Sequence, residues 1–120
     1  MTEHQHQTAF FAWLRLAYPQ VPAFAIPNGG HRHKAVAAKM KAEGVTAGVP
    51  DILIADGNPG LFIEMKKEKG SRVSKEQKAM LERLQDSGYQ VAVCYGFDEA
   101  KQAVETYLEG NREFSRRQPG

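Results

Sequence analysis

The sequence predicts an α/β domain in which helices cover both faces of a mixed β-sheet. Hydrophobic residues alternate between helical and strand-like spacing along the chain. A strong turn signal at 56–60 joins two strand-like runs into an antiparallel hairpin. A helix then crosses from that hairpin to a later apolar strand, which implies a parallel pair. The predicted order is helix, strand, a weaker helix, two hairpin strands, helix, strand and helix.

In the first half of the chain, capping and stop residues set the predicted ends of the elements. Thr2 and Gln5 match a capping box, and Pro19 follows an apolar stripe at helical spacing. A short apolar run lies between two prolines, and Gly44 closes a basic, alanine-rich segment. The predicted elements are a helix over 3–17, a strand over 24–26 and a helix over 34–43.

In the second half, turn and cap residues again separate the elements. Ser74 can cap a helix that Gly88 ends, and Gly110 is expected to end the last helix. The apolar run over 89–95 predicts a buried strand. The predicted elements are hairpin strands over 51–55 and 61–66, a helix from Ser74 to Gly88, a strand over 89–95 and a helix opened by Asp98.

Length and composition favour one globular domain. The chain has 120 residues, 42% of them hydrophobic, and a net charge of +2. We expect a single domain over 1–110 and a flexible basic tail over 111–120. Its one cysteine, Cys94, rules out an internal disulfide, and no run is long enough to span a membrane, so a cytoplasmic protein is expected. The charge is too mild to identify a nucleic-acid binder by itself.

Glu64 and Lys66 are the first candidates for chemistry. In a strand over 61–66 the two side chains point to the same face. Burying both in a sheet is costly unless they are paired or bind something. The alternative is an edge strand that presents its charges to water. Two further Glu-x-Lys pairs lie on charged helices and indicate only solvated surface.

Asp51 strengthens the functional interpretation, because the tight hairpin brings it to the end of the sheet that carries Glu64 and Lys66. As the alternative, Asp51 is simply the residue that starts a strand after Pro50. Oxygen ligands of this kind suit Mg²⁺ or Mn²⁺, which also accept phosphate oxygens. A lysine beside such an ion can orient a water and stabilise charge that develops on phosphorus. The predicted chemistry is hydrolysis of a phosphodiester.

Glu3 and Gln77 are polar residues at the start of otherwise apolar helical stripes. Each has a structural alternative. Glu3 is a favourable acid in the first turn of a helix. Gln77 completes a capping box with Ser74.

The order of several motifs resembles the virus-type replication-repair nuclease (VRR-NUC) family of the PD-(D/E)xK superfamily. The resemblance covers about residues 3–109. The segments that carry it are Glu3 with Gln7, the Pro-Asn-Gly-Gly-His-Arg run at 27–32, the Gly-Val-Pro-Asp run at 48–51, Ile63-Glu64-Met65-Lys66, Ser74 with Gln77, Gly88-Tyr89 and Tyr107-Leu108.

The resemblance implies a restriction-endonuclease-like core and an Mg²⁺- or Mn²⁺-dependent DNA endonuclease. It implies metal ligation by Asp51, Glu64 and the backbone carbonyl of Met65, a catalytic Lys66, and supporting roles for Glu3 and Gln77. Small members of the family act on branched DNA such as four-way (Holliday) junctions as homodimers, often in phage, so a bacterial or phage-infected cell is implied.

The basic stretch after Pro27 supplies the candidate nucleic-acid contacts. These candidates are Asn28, His31, Arg32 and Lys34. The alternative is an ordinary surface loop. Three other functions remain open at this point: a catalytically silent nucleic-acid-binding module, a flap or other DNA nuclease without junction preference, and a small regulatory or protein-interaction domain.

Overall fold

The structure is a computed structural model that describes residues 1–27, 34–57 and 59–117, with side chains described as far as Arg112. Its elements follow the predicted order, which confirms the α/β fold with a mixed sheet. They are α1 (Glu3–Ala17), β1 (Ala23–Ala25), α2 (Lys34–Ala42), β2 (Ile52–Ile54), β3 (Leu61–Lys66), α3 (Lys75–Asp86), β4 (Gln90–Tyr95) and α4 (Phe97–Arg117).

Both predicted capping boxes form. The Thr2 hydroxyl accepts from the Gln5 N–H at 3.1 Å, and the Gln5 side chain accepts from the Thr2 N–H at 2.9 Å. Ser74 and Gln77 make the same pair of bonds at the start of α3. Local sequence therefore fixes where both helices begin, because each box satisfies N–H groups that have no partner within the helix.

The four strands of the sheet are arranged in the order β1-β2-β3-β4. The pairs β1–β2 and β2–β3 are antiparallel, and β3–β4 is parallel. The helix α3 makes the crossover between the parallel strands, as the sequence predicts. Strand β3 is paired on both sides, so its charged residues do not lie on an edge.

Side chains along β3 alternate between an apolar face of the sheet and a face that carries two charged residues. Ile63 and Met65 belong to the core formed with α1 and α4, whereas Glu64 and Lys66 point to the opposite face. The buried core residues are Phe10, Leu14, Ile52, Ile54, Leu61, Ile63, Met65, Cys94, Ala100, Val104, Tyr107 and Leu108. Burial raises the pKa of the Cys94 thiol to about 12, with a smaller contribution from Glu99.

Strand β4 is less buried than its apolar sequence predicts. It forms an edge of the sheet, Gln90 is exposed, and among its residues only Cys94 is buried. An edge strand pairs with one neighbour, and its outer side chains keep some contact with water. The prediction of a buried strand is therefore wrong for most of β4.

Helix α4 continues through Gly110 to Arg117, so the predicted helix end at Gly110 is wrong. Gly110 does not adopt the left-handed conformation that a glycine C-cap uses. The next turn of the helix is held by Asn111, whose side-chain amide donates to the Asp56 carbonyl at 2.6 Å. Tertiary contact with the β2–β3 loop thus outweighs the roughly 1 kcal/mol cost of a glycine inside a helix. The helix crosses the predicted boundary between domain and tail.

Within the described residues, no helix is both long and apolar enough to cross a membrane.

Candidate active site

The β2–β3 pairing brings Asp51 next to Glu64. Ile52 lies opposite Ile63, so the residue just before β2 falls beside Glu64 and Met65. The Met65 N–H donates to Asp51 Oδ2 at 2.8 Å, which fixes one carboxylate oxygen of Asp51 against β3. The hairpin thus brings the two carboxyl groups together, as the sequence predicts.

Glu64 is a buried residue, and only one of its two carboxyl oxygens accepts a hydrogen bond from the described residues. It is 2% exposed, and its Oε1 atom has no hydrogen-bond partner among the described residues. Burial raises the pKa of Glu64 to about 8; the neighbouring Asp51 and, to a smaller extent, Glu3 add to the rise, and Lys66 opposes it. A buried carboxylate with a free oxygen beside a second carboxylate is a site that favours a cation.

Lys66 is held beside Glu64 by an amide rather than by a close ion pair. Its Nζ lies 3.9 Å from Glu64 Oε2, but it donates to Gln77 Oε1 at 2.9 Å. The Gln77 Nε2 group donates to Glu64 Oε2 at 3.2 Å. A single amide therefore bridges the buried lysine and the buried glutamate and sets their relative position.

Gln77 takes part both in the capping box of α3 and in the contacts of the buried pair Glu64 and Lys66. The Oε1 atom that accepts from Lys66 also accepts from the Ser74 N–H at 2.8 Å, which is half of the capping box. The Gln77 N–H in turn donates to the Ser74 hydroxyl at 3.1 Å. The cap thereby fixes the rotamer of the side chain that reaches Lys66 and Glu64.

These residues lie in an open cleft of about 1100 Å³ between the sheet, α2 and α3. Glu3 also lines the cleft, but its side chain is exposed, which gives it an outer position relative to the buried pair. The fourteen lining residues are Glu3, Ala37, Met40, Lys41, Val45, Thr46, Ala47, Gly48, Asp51, Glu64, Lys66, Ser74, Glu76 and Gln77. All five predicted catalytic residues are among them.

Sequence reasoning missed the wall of the cleft formed by residues 45–48. Gly48 has φ +85°, and a Cβ atom there would lie 2.4 Å from the Glu76 carbonyl oxygen. The absence of a side chain lets the segment before Asp51 touch the first turn of α3, which carries Gln77. The glycine in the Gly-Val-Pro-Asp run was the available signal, but its contact depends on a distant helix.

His6 of α1 is a further buried polar residue. It is 3% exposed, and its Nδ1 accepts from the Phe97 N–H at 3.0 Å. Its Nε2 faces Glu68 Oε1 at 3.2 Å. Its spacing of four residues from Phe10 places it on the buried stripe of α1, and that spacing was the signal for its burial.

Of the predicted nucleic-acid contacts, only Lys34 falls in the described part of the chain, where it is the exposed first residue of α2. Asn28, His31 and Arg32 lie outside the described residues.

The donor set fits a hard cation with few protein ligands. Within residues 1–27, 34–57 and 59–117, no three His, Cys, Asp or Glu side chains are grouped so that they could hold a metal ion by themselves. Asp51 and Glu64 supply two carboxylates, and the unpartnered Glu64 Oε1 is an oxygen that a cation would satisfy. Mg²⁺ and Mn²⁺ are commonly bound by one or two carboxylates, with waters and phosphate oxygens as the other ligands.

A carboxylate pair, a lysine two residues further along a central strand, and a bridging glutamine define a PD-(D/E)xK-type site in an α/β domain. The VRR-NUC domain profile matches residues 1–98, so the chain belongs to the VRR-NUC family. This is a nuclease family of the PD-(D/E)xK superfamily, whose members generally use divalent metal ions.

A solved structure agrees with this assignment. It is described as a VRR_NUC domain protein, and it is 29% identical to this chain, with a TM-score of 0.78. The match covers 91% of this chain and 89% of that one. No curated protein gives a significant match.

Proposed function

We propose that the protein is an Mg²⁺- or Mn²⁺-dependent DNA endonuclease that cuts branched DNA such as four-way junctions. The observation that carries the proposal is the buried Glu64, whose free oxygen, neighbouring Asp51 and amide-held Lys66 all lie in one cleft. A phosphodiester fits this site because it brings the anionic oxygens that the lysine and a bound cation would attract.

Asp51, Glu64 and the Met65 carbonyl would hold the ion, which when bound supplies positive charge to polarise the phosphate and acidify a water. Lys66 positions the water that attacks phosphorus and stabilises the negative charge that builds up as a P–O bond breaks. Gln77 keeps the Lys66 amine aimed at this point, because its rotamer is fixed by the cap of α3. Glu3 completes the acidic rim of the cleft.

A homodimer is the proposed assembly, because two related active sites are needed to cut both strands of a symmetric branch. The unpaired, buried Cys94 thiol supports a reducing, cytoplasmic compartment, in a bacterial or phage-infected cell. Light scattering with and without junction DNA tests the assembly, and a monomer under both conditions contradicts it.

The activity is tested on four DNA substrates: a four-way junction, a flap, a splayed arm and a plain duplex. Each is incubated with Mg²⁺, Mn²⁺ or EDTA and resolved on a denaturing gel. We expect metal-dependent, paired cuts that favour the junction. Cuts of equal efficiency on all four substrates would contradict the junction preference, and binding without cleavage under any metal would contradict the nuclease.

A further inference from the structure

The chain segment that follows Lys66 is strongly cationic. Residues 67–75, here named the cationic turn, contain four Lys or Arg residues and one Glu, a net charge of +3. The other 111 residues contain twelve cations and thirteen acids, a net charge of −1. The segment is thus locally positive, as is the stretch over 34–42, which carries three lysines and no acid.

The cationic turn lies beside the cleft because both of its ends belong to the cleft. It begins directly after Lys66 and includes Ser74, and both of these residues line the cleft. No residue between them is more than four positions from one of the two, which limits its distance from the cleft edge to about 14 Å. On another wall, Lys41 of α2 also lines the cleft.

The one acid of the cationic turn, Glu68, is exposed but has one carboxylate oxygen against a buried residue of α1. Glu68 Oε1 lies 3.2 Å from the buried His6 Nε2. Gly96 makes room for this contact, since a Cβ there would lie 2.8 Å from Glu68 Cγ. His6 is itself held by the Phe97 N–H. Glu68 thus brings the turn into contact with α1, and His6 in turn bonds the start of α4.

The cations of the turn are available for a partner. Lys67, Lys69, Arg72 and Lys75 are all exposed. In the part of the chain that the structure describes, none of the four lies within 4.0 Å of a carboxylate oxygen. Four free cations at the edge of a cleft match the repeating phosphates of a nucleic-acid backbone, which are contacted without regard to base sequence.

We infer that the cationic turn binds the DNA backbone next to the scissile phosphodiester. This inference rests on the proposed function, which places that phosphodiester in the cleft. The turn then supplies the salt-dependent part of the affinity for DNA. Lys66 directly precedes the turn, so the DNA backbone is already held in place when it reaches Lys66. Each phosphate contact contributes about 0.9 to the slope of log K against log salt concentration on duplex DNA.

The test compares two triple variants with the same change in net charge. The turn variant replaces Lys67, Lys69 and Arg72 with Gln, and the control variant replaces Arg15, Arg83 and Arg112 with Gln. None of these six side chains lines the cleft. Affinity for a labelled four-way junction and for two duplexes of unrelated sequence is measured in EDTA between about 0.05 and 0.2 M salt, the range over which such contacts are sensitive.

We expect the turn variant to lose about 2 to 3 from the magnitude of the slope and to bind at least about tenfold more weakly at 0.1 M salt, equally on both duplexes. The control variant should keep the wild-type slope to within about 1. Thermal unfolding of both variants close to that of the wild type excludes misfolding as the cause. Equal slopes for the two variants, or a loss confined to one duplex sequence, would overturn the inference.

Cleavage by the wild type separates this inference from the proposed function. If the wild type cuts DNA but the two variants have equal salt slopes, the nuclease proposal stands and the cationic turn is refuted. If the wild type cuts nothing with any metal but the turn variant has the shallower slope, the contact of the turn with the DNA backbone is supported, whereas the nuclease proposal and the scissile position beside the turn are refuted. Absence of DNA binding by the wild type refutes both.

Discussion

Replacing Glu64 with Gln should stabilise the metal-free protein at alkaline pH. The pKa of Glu64 rises from its ordinary value of 4.5 to about 8, chiefly because the carboxyl is buried and next because Asp51 lies beside it. Between these two pH values the folded state binds more protons than the unfolded state. The free energy of unfolding therefore falls as pH rises through this window.

The size of the effect follows from the pKa. A change of one in pKa corresponds to about 1.4 kcal/mol, so a rise from 4.5 to about 8 gives an upper limit of about 5 kcal/mol. Because the cleft is open to water, which screens the charge, we expect the Glu64→Gln variant to gain about 3 kcal/mol relative to wild type between pH 5 and pH 8. At pH 5 the two proteins should be nearly equal, since an amide resembles the protonated carboxyl.

The assay is urea unfolding in EDTA at pH 5 and pH 8, with Glu82→Gln on the exposed side of α3 as the control for removing a carboxyl. Metal provides a second readout: Mn²⁺ at a hundred times its dissociation constant should add about 2.7 kcal/mol to wild type at pH 8 and much less to the Glu64→Gln variant. A difference in the free energy of unfolding between wild type and Glu64→Gln that is the same at pH 5 and at pH 8 would refute the reasoning.

Three other predictions concern the support of the site. Gly48→Ala should cost at least about 2 kcal/mol more in urea unfolding than Gly88→Ala: both glycines have positive φ, but a Cβ has open space only at Gly88. A smaller difference would mean that residues 45–48 can shift away from α3 at little cost in free energy. Gln77→Met and Ser74→Ala should each lose about 1 kcal/mol of stability, because each removes part of the capping box. Only Gln77→Met also removes the bond to Lys66, so it alone should slow single-turnover cleavage, by at least about tenfold. Equal cleavage rates for the two variants would mean that Gln77 acts only as a helix cap. Tyr107→Phe should cost about 1 to 2 kcal/mol of stability, because the Tyr107 hydroxyl donates to the Asp56 and Pro59 carbonyls. The substitution should leave cleavage unchanged, because these carbonyls lie at the end of β3 away from Lys66. Slower cleavage by Tyr107→Phe would contradict that separation.

Features encoded by neighbouring residues could be predicted from the sequence. The two capping boxes need only a residue and its third neighbour, and both form as expected. The hairpin register follows from its turn, so the approach of Asp51 to Glu64 was predictable too. Alternation in β3 then placed Lys66 on the same face as Glu64.

Features that depend on distant contacts could not be predicted in this way. Gly110 has the residue type of a helix stop, but the bond from Asn111 to the β2–β3 loop carries α4 past it. The apolar sequence of β4 does not reveal that the strand lies at an edge. Likewise, residues 45–48 form a wall of the cleft only because Gly48 packs against α3. In each case the deciding partner is remote in sequence.

The most direct test of the account is single-turnover cleavage of a four-way junction by Lys66→Ala beside Lys78→Ala, an exposed lysine on α3. The account predicts that, with Mg²⁺ or Mn²⁺ present, Lys66→Ala folds and binds the junction but cuts it at least about a thousandfold more slowly, whereas Lys78→Ala cuts at the wild-type rate. Cleavage by a folded Lys66→Ala variant at the wild-type rate would contradict the claim that this cleft is the active site.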